Sequence, residues 1–99
     1  MTDAPDNHLE LPTRLDVPAA EPLLADLLER RGRDLDLVID GSGVGLIDTP
    51  AIQILMSAAR DQASRNHEFK MTEPSAAIQE AMALMGLDEE LATWRGSHE

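Results

Sequence analysis

Asp48 and Thr49 stand where a glycine-rich turn meets the start of a long helical pattern, and no other residues of this chain are so well placed for chemistry. The run is Gly41-Ser42-Gly43-Val44-Gly45-Leu46-Ile47-Asp48-Thr49-Pro50-Ala51. A buried strand that feeds such a turn, and then a helix, presents short polar groups at a rim where a partner can meet them. Thr49-Pro50 has a structural reading: threonine is a good helix N-cap, and proline is pre-set for the first helical position. It also has a functional one. A helix N-terminus favours negative charge, so a phosphate on Thr49 would be held there, with Asp48 opposing it.

Other chemistries find less support. The glycine run lacks the lysine and Ser/Thr of a phosphate-binding loop, and its spacing misses the dinucleotide pattern, so it reads as a flexible loop. His8, His67 and His98 are scattered without zinc-ligand spacing, and no metal or cofactor is expected. Asp36 and Asp40 lie on one strand pattern near Asp48, and a small hydrolase would use Asp40, Asp48 and Thr49. No nucleophile–base pair is evident for it, and the expectation is a chain that is not an enzyme. Met56, Met71, Met82 and Met85 read as core filler.

The elements that must position the turn follow from periodicity. Residues 1 to 7 read as a disordered start and residues 95 to 99 as a frayed end, leaving one domain over 8 to 94. His8-Leu9-Glu10-Leu11-Pro12 and Thr13-Arg14-Leu15-Asp16-Val17 alternate polar and apolar, which predicts a short hairpin around Pro12 and Thr13. Pro18 to Arg31 reads as a first helix with Leu23, Leu24, Leu27 and Leu28 on its apolar face and Gly32 as its stop. Leu35 to Asp40 is the strongest strand signal. Thr49 to about Asn66 is a second helix with a stripe of Ile52, Leu55, Met56, Ala59 and Ala63; Ile54 falls off it, near Ala51, Ala58 and Asp61. Glu68 to Thr72 is a strand. Pro74-Ser75 opens a third helix with Ile78, Ala81, Met82 and Met85 buried, Gly86 stops it, and Asp88 caps a short last helix carrying Leu91 and Trp94. Alternation of this kind predicts an α/β layer whose later strands are parallel, with helices mainly on one face.

Composition bounds the partners. The chain has 99 residues, no cysteine and a formal net charge of −11. Phosphate backbones and anionic lipid would be repelled, so nucleic acid and direct membrane insertion are not expected. A basic protein surface would be attracted. The first seven residues lack the basic and apolar regions of a signal peptide, and no apolar run spans a bilayer, so the expected address is cytoplasmic.

From about Leu9 to Leu91 the sequence resembles the STAS domain, the family of sulfate-transporter domains and bacterial anti-sigma factor antagonists. Three places carry the resemblance: Leu37-Val38-Ile39-Asp40 followed by Leu46-Ile47-Asp48-Thr49, then Ile52 to Arg60, then Pro74-Ser75 with Ile78, Ala81, Leu84 and Met85-Gly86-Leu87. The resemblance implies a STAS-like α/β fold with a mixed four- to five-stranded sheet. It implies a non-catalytic regulatory module that binds a kinase or ATPase through the loop and helix around Asp48. Thr49 matches the residue that anti-sigma antagonists present for phosphorylation. Pro50 and Ala51 replace the family's usual Ser, Thr or Ala and then Gly. The implied contact surface is Gly43, Val44, Gly45, Asp48, Thr49, Pro50 and Ala51 with Ile54, Ala58 and Asp61. The helix that carries Ser57-Ala58-Ala59-Arg60 and the segment from Pro74 to Leu87 are most similar to small stand-alone STAS proteins of alphaproteobacterial chemotaxis clusters, which implies a histidine kinase as partner. Anti-sigma factor antagonists switched at Thr49, and STAS subunits docked on an ABC-transporter ATPase, are the other branches.

Overall fold

The computed structural model describes residues 7–96. Five short strands and four helices follow one another as β1 (His8–Glu10), β2 (Arg14–Leu15), α1 (Ala20–Arg31), β3 (Leu37–Asp40), β4 (Leu46–Ile47), α2 (Thr49–Ser64), β5 (Phe69–Thr72), α3 (Ala76–Leu84) and α4 (Asp88–Trp94). All pairings are parallel, in a three-stranded sheet of order β1-β3-β5 and a separate pair β2-β4. The mixed sheet implied by the sequence is therefore five parallel strands in two pieces.

The expected hairpin at Pro12-Thr13 does not form. β1 pairs with β3 and β2 with β4, each in parallel. Pro-Thr supplies none of the positive-φ residues that reverse a tight hairpin, so the chain runs on. Leu11 N–H donates to the Asp40 carbonyl at 3.0 Å, and the Thr13 carbonyl accepts from Gly45 and Leu46 at 2.8 and 3.2 Å. The two alternating segments thus serve as the first strands of two successive parallel pairs.

Alternation along the strands decides which face is covered. Leu9, Ile39 and Met71 form one row across the sheet, beside Leu37 and Phe69. Ile39 is fully buried. The opposite face carries His8, Val38 and Lys70 in one row and Glu10, Asp40 and Thr72 in the next, all exposed or half-buried. The helices therefore cover mainly one face, as the pattern requires.

Several helix boundaries differ from the sequence reading. Pro18 lies in a 3-10 turn over Val17–Ala19, where Asp16 accepts from Ala19 N–H at 3.3 Å, and α1 begins only at Ala20. Gly32 stays right-handed, and the chain reverses at Asp34, where φ is 59°. In α1, Leu23 and Leu27 are buried but Leu24 and Leu28 are not. A single helix on the flank of a three-stranded sheet buries one leucine of each adjacent pair and turns the other sideways. In α2 the buried residues are Ala51, Ile52, Leu55 and Gln62, while Ala63 is exposed. In α3, Met85 lies past the helix end and is partly exposed. Gly86 has φ 72°, and Leu87 N–H returns to the Met82 carbonyl at 2.8 Å, which closes α3 and packs Leu87 against the core. Leu87, not Asp88, is the cap position of α4. At the start of the chain, Asn7 is buried and bonded to the Leu35 and Arg30 carbonyls, so it belongs to the fold. The remaining residues assigned to the disordered start, 1–6, and residues 97–99 lie outside the described residues.

Candidate functional site

The turn from β3 to α2 is held from below by backbone. Gly41 N–H donates to the Thr72 carbonyl at 3.0 Å, and the Gly41 carbonyl accepts from Ser75 N–H at 3.1 Å. Asp40 turns its carboxylate onto Ser42 N–H at 2.9 Å. Asp48 N–H donates to the Leu15 carbonyl at 2.9 Å, which ties the start of α2 to β2. Far from being loose, the glycine run is stitched to β5 through Thr72, to Thr13 just ahead of β2, and to the approach to α3.

Asp48 is the N-cap of α2 by backbone conformation, and its carboxylate makes no capping hydrogen bond. The expectation placed Thr49 at the cap and Pro50 at the first helical position. Thr49 is the first helical residue and Pro50 the second, one step later. At the first helical position Thr49 is exposed and does not serve as the cap. Among the described residues, neither the Asp48 carboxylate nor the Thr49 hydroxyl has a hydrogen-bond or ion-pair partner.

The surface implied by the resemblance divides in two. Val44 and Ala51 are 3% and 0% exposed, so they are core residues and offer no side chain to a partner. Both apolar side chains belong to the hydrophobic core. Gly43, Gly45 and Thr49 are exposed, and Asp48, Pro50, Ile54, Ala58 and Asp61 are half-buried. Pro50, Ile54, Ala58 and Asp61 line a groove of about 580 Å³ between α1 and α2, together with Leu24 and Leu28. The sequence reading missed the α1 half of this groove. Its signal was present: two adjacent leucine pairs in twelve residues exceed what a one-faced stripe needs.

Asp61 is also a structural hub. Arg31 Nε donates to its Oδ2 at 2.8 Å and Arg65 Nη1 at 3.4 Å, joining α1 to α2. The carboxylates expected together are apart. Asp36 accepts Glu68 N–H at 2.9 Å and stands 3.4 Å from His67 Nδ1, at the end of β3 away from Asp40. Four strand residues separate the two ends by roughly 13 Å. Asp34 meets His67 Nε2 at 2.9 Å and Arg65 at 3.0 Å. Among the described residues, no group of three or more His, Asp or Glu side chains is arranged to hold a metal ion. No helix among them is long and apolar enough to cross a membrane.

Three carboxyls are held below their ordinary range: Asp61 by hydrogen bonding from Arg31, Asp34 by hydrogen bonding from His67, and Asp40 by the Ser42 N–H. A carboxyl lowered on folding contributes stability that is present above its unfolded pKa, about 4, and is lost as pH falls through the folded value. Thermal midpoints are therefore expected to decline below about pH 4. Asp61→Asn should make that decline shallower. An unaltered profile in this variant would show that the Arg31–Asp61–Arg65 link contributes nothing at the surface, where such pairs are commonly weak.

Curated proteins and solved structures gave no match. The family model described as "Mlab, STAS domain" matches residues 1–93, with the Asp48–Thr49 turn and all five strands inside the match, and the chain belongs to that STAS family of regulatory, protein-interaction domains.

Proposed function

We propose that this protein is a non-enzymatic STAS regulator that binds a signalling kinase or ATPase, most simply in bacterial chemotaxis or two-component signalling in the cytoplasm. The observation that carries this reading is the contrast at Asp48-Thr49. The backbone is pinned to β2 through Leu15, while the carboxylate and the hydroxyl have no partner among the described residues. Pre-organised backbone with unengaged polar groups lowers the ordering cost of binding. The acidic net charge suits a basic partner surface and a fast on-rate.

A second reading concerns Thr49 as a phosphoacceptor. It is exposed at the first turn of a 16-residue helix, where the dipole stabilises a phosphate. Pro50 beside it and Ala51 beneath it restrict close approach of a kinase, which favours a switch-free subunit docked on an ATPase, such as that of an ABC transporter.

The test is affinity capture from native lysate, with cross-links mapped by mass spectrometry and the captured kinase then incubated with ATP. A chemotaxis-type histidine kinase cross-linked near Asp48 is the expected result. An anti-sigma kinase that phosphorylates Thr49, or a transporter ATPase, would move the protein to another branch. Recovery of no kinase or ATPase would overturn the reading.

A further inference from the structure

The groove between α1 and α2 has a definite construction. Arg31 and Asp61 join the C-terminal halves of the two helices across an offset of 30 residues. The 3-10 turn that precedes α1 packs on α2 as well, so the helices run side by side in the same direction. For two such helices the same offset sets Leu24 level with Ile54 and Leu28 level with Ala58. Each helix thus shows an apolar pair at i and i+4, and the two pairs face one trough. Leu24 and Leu28 are 42% and 57% exposed, although they line it. From Pro50 to Gln62 the trough runs about 18 Å, a little over three helical turns.

We propose that this trough receives one amphipathic helix of the partner protein, about three turns long, with an apolar stripe on Leu24, Leu28, Ile54 and Ala58 and a basic end over Glu21 and Asp48. The proposal rests on the reading of the chain as a protein-binding module. A helix satisfies its own backbone hydrogen bonds, so it can lie on apolar side chains at no polar cost, whereas an extended segment needs a sheet edge that the trough does not offer. A second copy of the chain would bring another −11 charge to the same face.

Charge sets the direction. The far end of the trough is closed by the mutually satisfied Arg31–Asp61 pair. Just beyond the near end, outside the lining itself, stand Glu21, three residues before Leu24 on α1, and Asp48, two residues before Pro50 at the start of α2. Neither carboxylate has an ion pair among the described residues. Lysine or arginine at that end of the incoming helix supplies the missing cations.

The probe is a fluorescein-labelled peptide of about fifteen residues built from Leu, Ala and Lys, with leucines at i, i+4 and i+7 and lysines grouped at one end. A scrambled peptide of the same composition keeps the charge and loses the stripe. Anisotropy titrations against the full chain should show one-to-one binding, about tenfold or more tighter for the striped peptide. Leu28→Glu and, separately, Leu24→Gln should remove that advantage while circular dichroism stays native. Glu21→Gln with Asp48→Asn should weaken the salt dependence more than two acid-to-amide changes on the far side of the molecule do. Equal binding of the scrambled peptide, unchanged affinity in Leu28→Glu, or absence of binding would overturn the proposal. So would a dimer of the chain alone that dissociates in Leu28→Glu, since the second copy would then be the occupant. A partner kinase or ATPase still captured by Leu28→Glu would overturn the trough assignment and leave the protein-binding reading standing.

Discussion

Replacing Gly41 with valine is expected to lower stability by about 3 kcal/mol, the upper part of the ordinary range for overpacking a closed core. A Cβ at Gly41 would meet Ile78 Cδ1 at 2.8 Å, Met71 Sδ at 3.2 Å and the Pro74 Cα at 3.4 Å. The first two are side-chain ends that would normally swing aside. Here Ile78 and Met71 are 0% and 1% exposed, so neither has room to move. The same residue bonds Thr72 and Ser75 through its backbone, so displacing it also pulls at the base of the turn that carries Asp48. Urea or thermal melts provide the measurement, with a fall in the midpoint of about 15 °C for a domain of this size. Gly41→Ala should cost about half as much. A valine variant that melts with the parent would mean that the end of β3 relaxes freely, and that the stitching of the turn is not rigid.

The fold was legible where periodicity and stop signals agreed. Leu37 to Asp40 alternates with two fully inward residues and is the central strand. Ser75 caps α3 by accepting from Ile78 N–H at 3.2 Å, three residues ahead of it, as its place after Pro74 suggests. The first two strands were visible, but their partners were not, because local alternation says nothing about which distant strand supplies the ladder. Gln62 was invisible for another reason. It is a polar residue on a buried face, and only the assembled structure reveals why: Nε2 donates to the Leu35 and Glu68 carbonyls at 3.0 Å each, filling the gap where β3 and β5 begin.

The candidate site was legible in part for the same physical reasons. Asp48, Thr49 and Ile54 were identified by their place at the helix entry and off the main stripe. Val44 and Ala51 are small or medium apolar residues next to that entry, and the sequence cannot tell a rim position from the plug beneath it. Leu24 and Leu28 were assigned to the core because hydrophobic residues at helical spacing usually go there. The sheet is only three strands wide, and it has no room for both leucines of each pair. The size of a sheet is a tertiary property, so the α1 half of the groove emerged only with the fold.

Trp94→Ala should have the largest effect on stability, about 4 kcal/mol, because it empties a buried aromatic site and dissolves the contact that holds α4. Trp94 is 4% exposed, and its ring meets Phe69 edge to face at 5.0 Å between centroids and 64° between planes. Beyond the buried area, such a pair contributes about 1 kcal/mol. α4 has seven residues, too few to persist without packing, so it depends on Trp94 and Leu91 for its position against β5. Trp94→Phe should recover more than half of the loss. Trp94 is the single tryptophan of the chain, so its emission reports on α4 directly. In the parent protein, the fluorescence and far-ultraviolet circular dichroism transitions should coincide, since α4 closes the same core as β5. Fluorescence that changes at distinctly lower denaturant would show α4 to be a separate, weaker unit. In that case Trp94→Ala would cost far less than predicted, since the reference state would already lack the contact. Either way the α1–α2 groove lies outside the Phe69–Trp94 contact, so partner affinity in Trp94→Ala, measured well below its melting temperature, should match that of the parent.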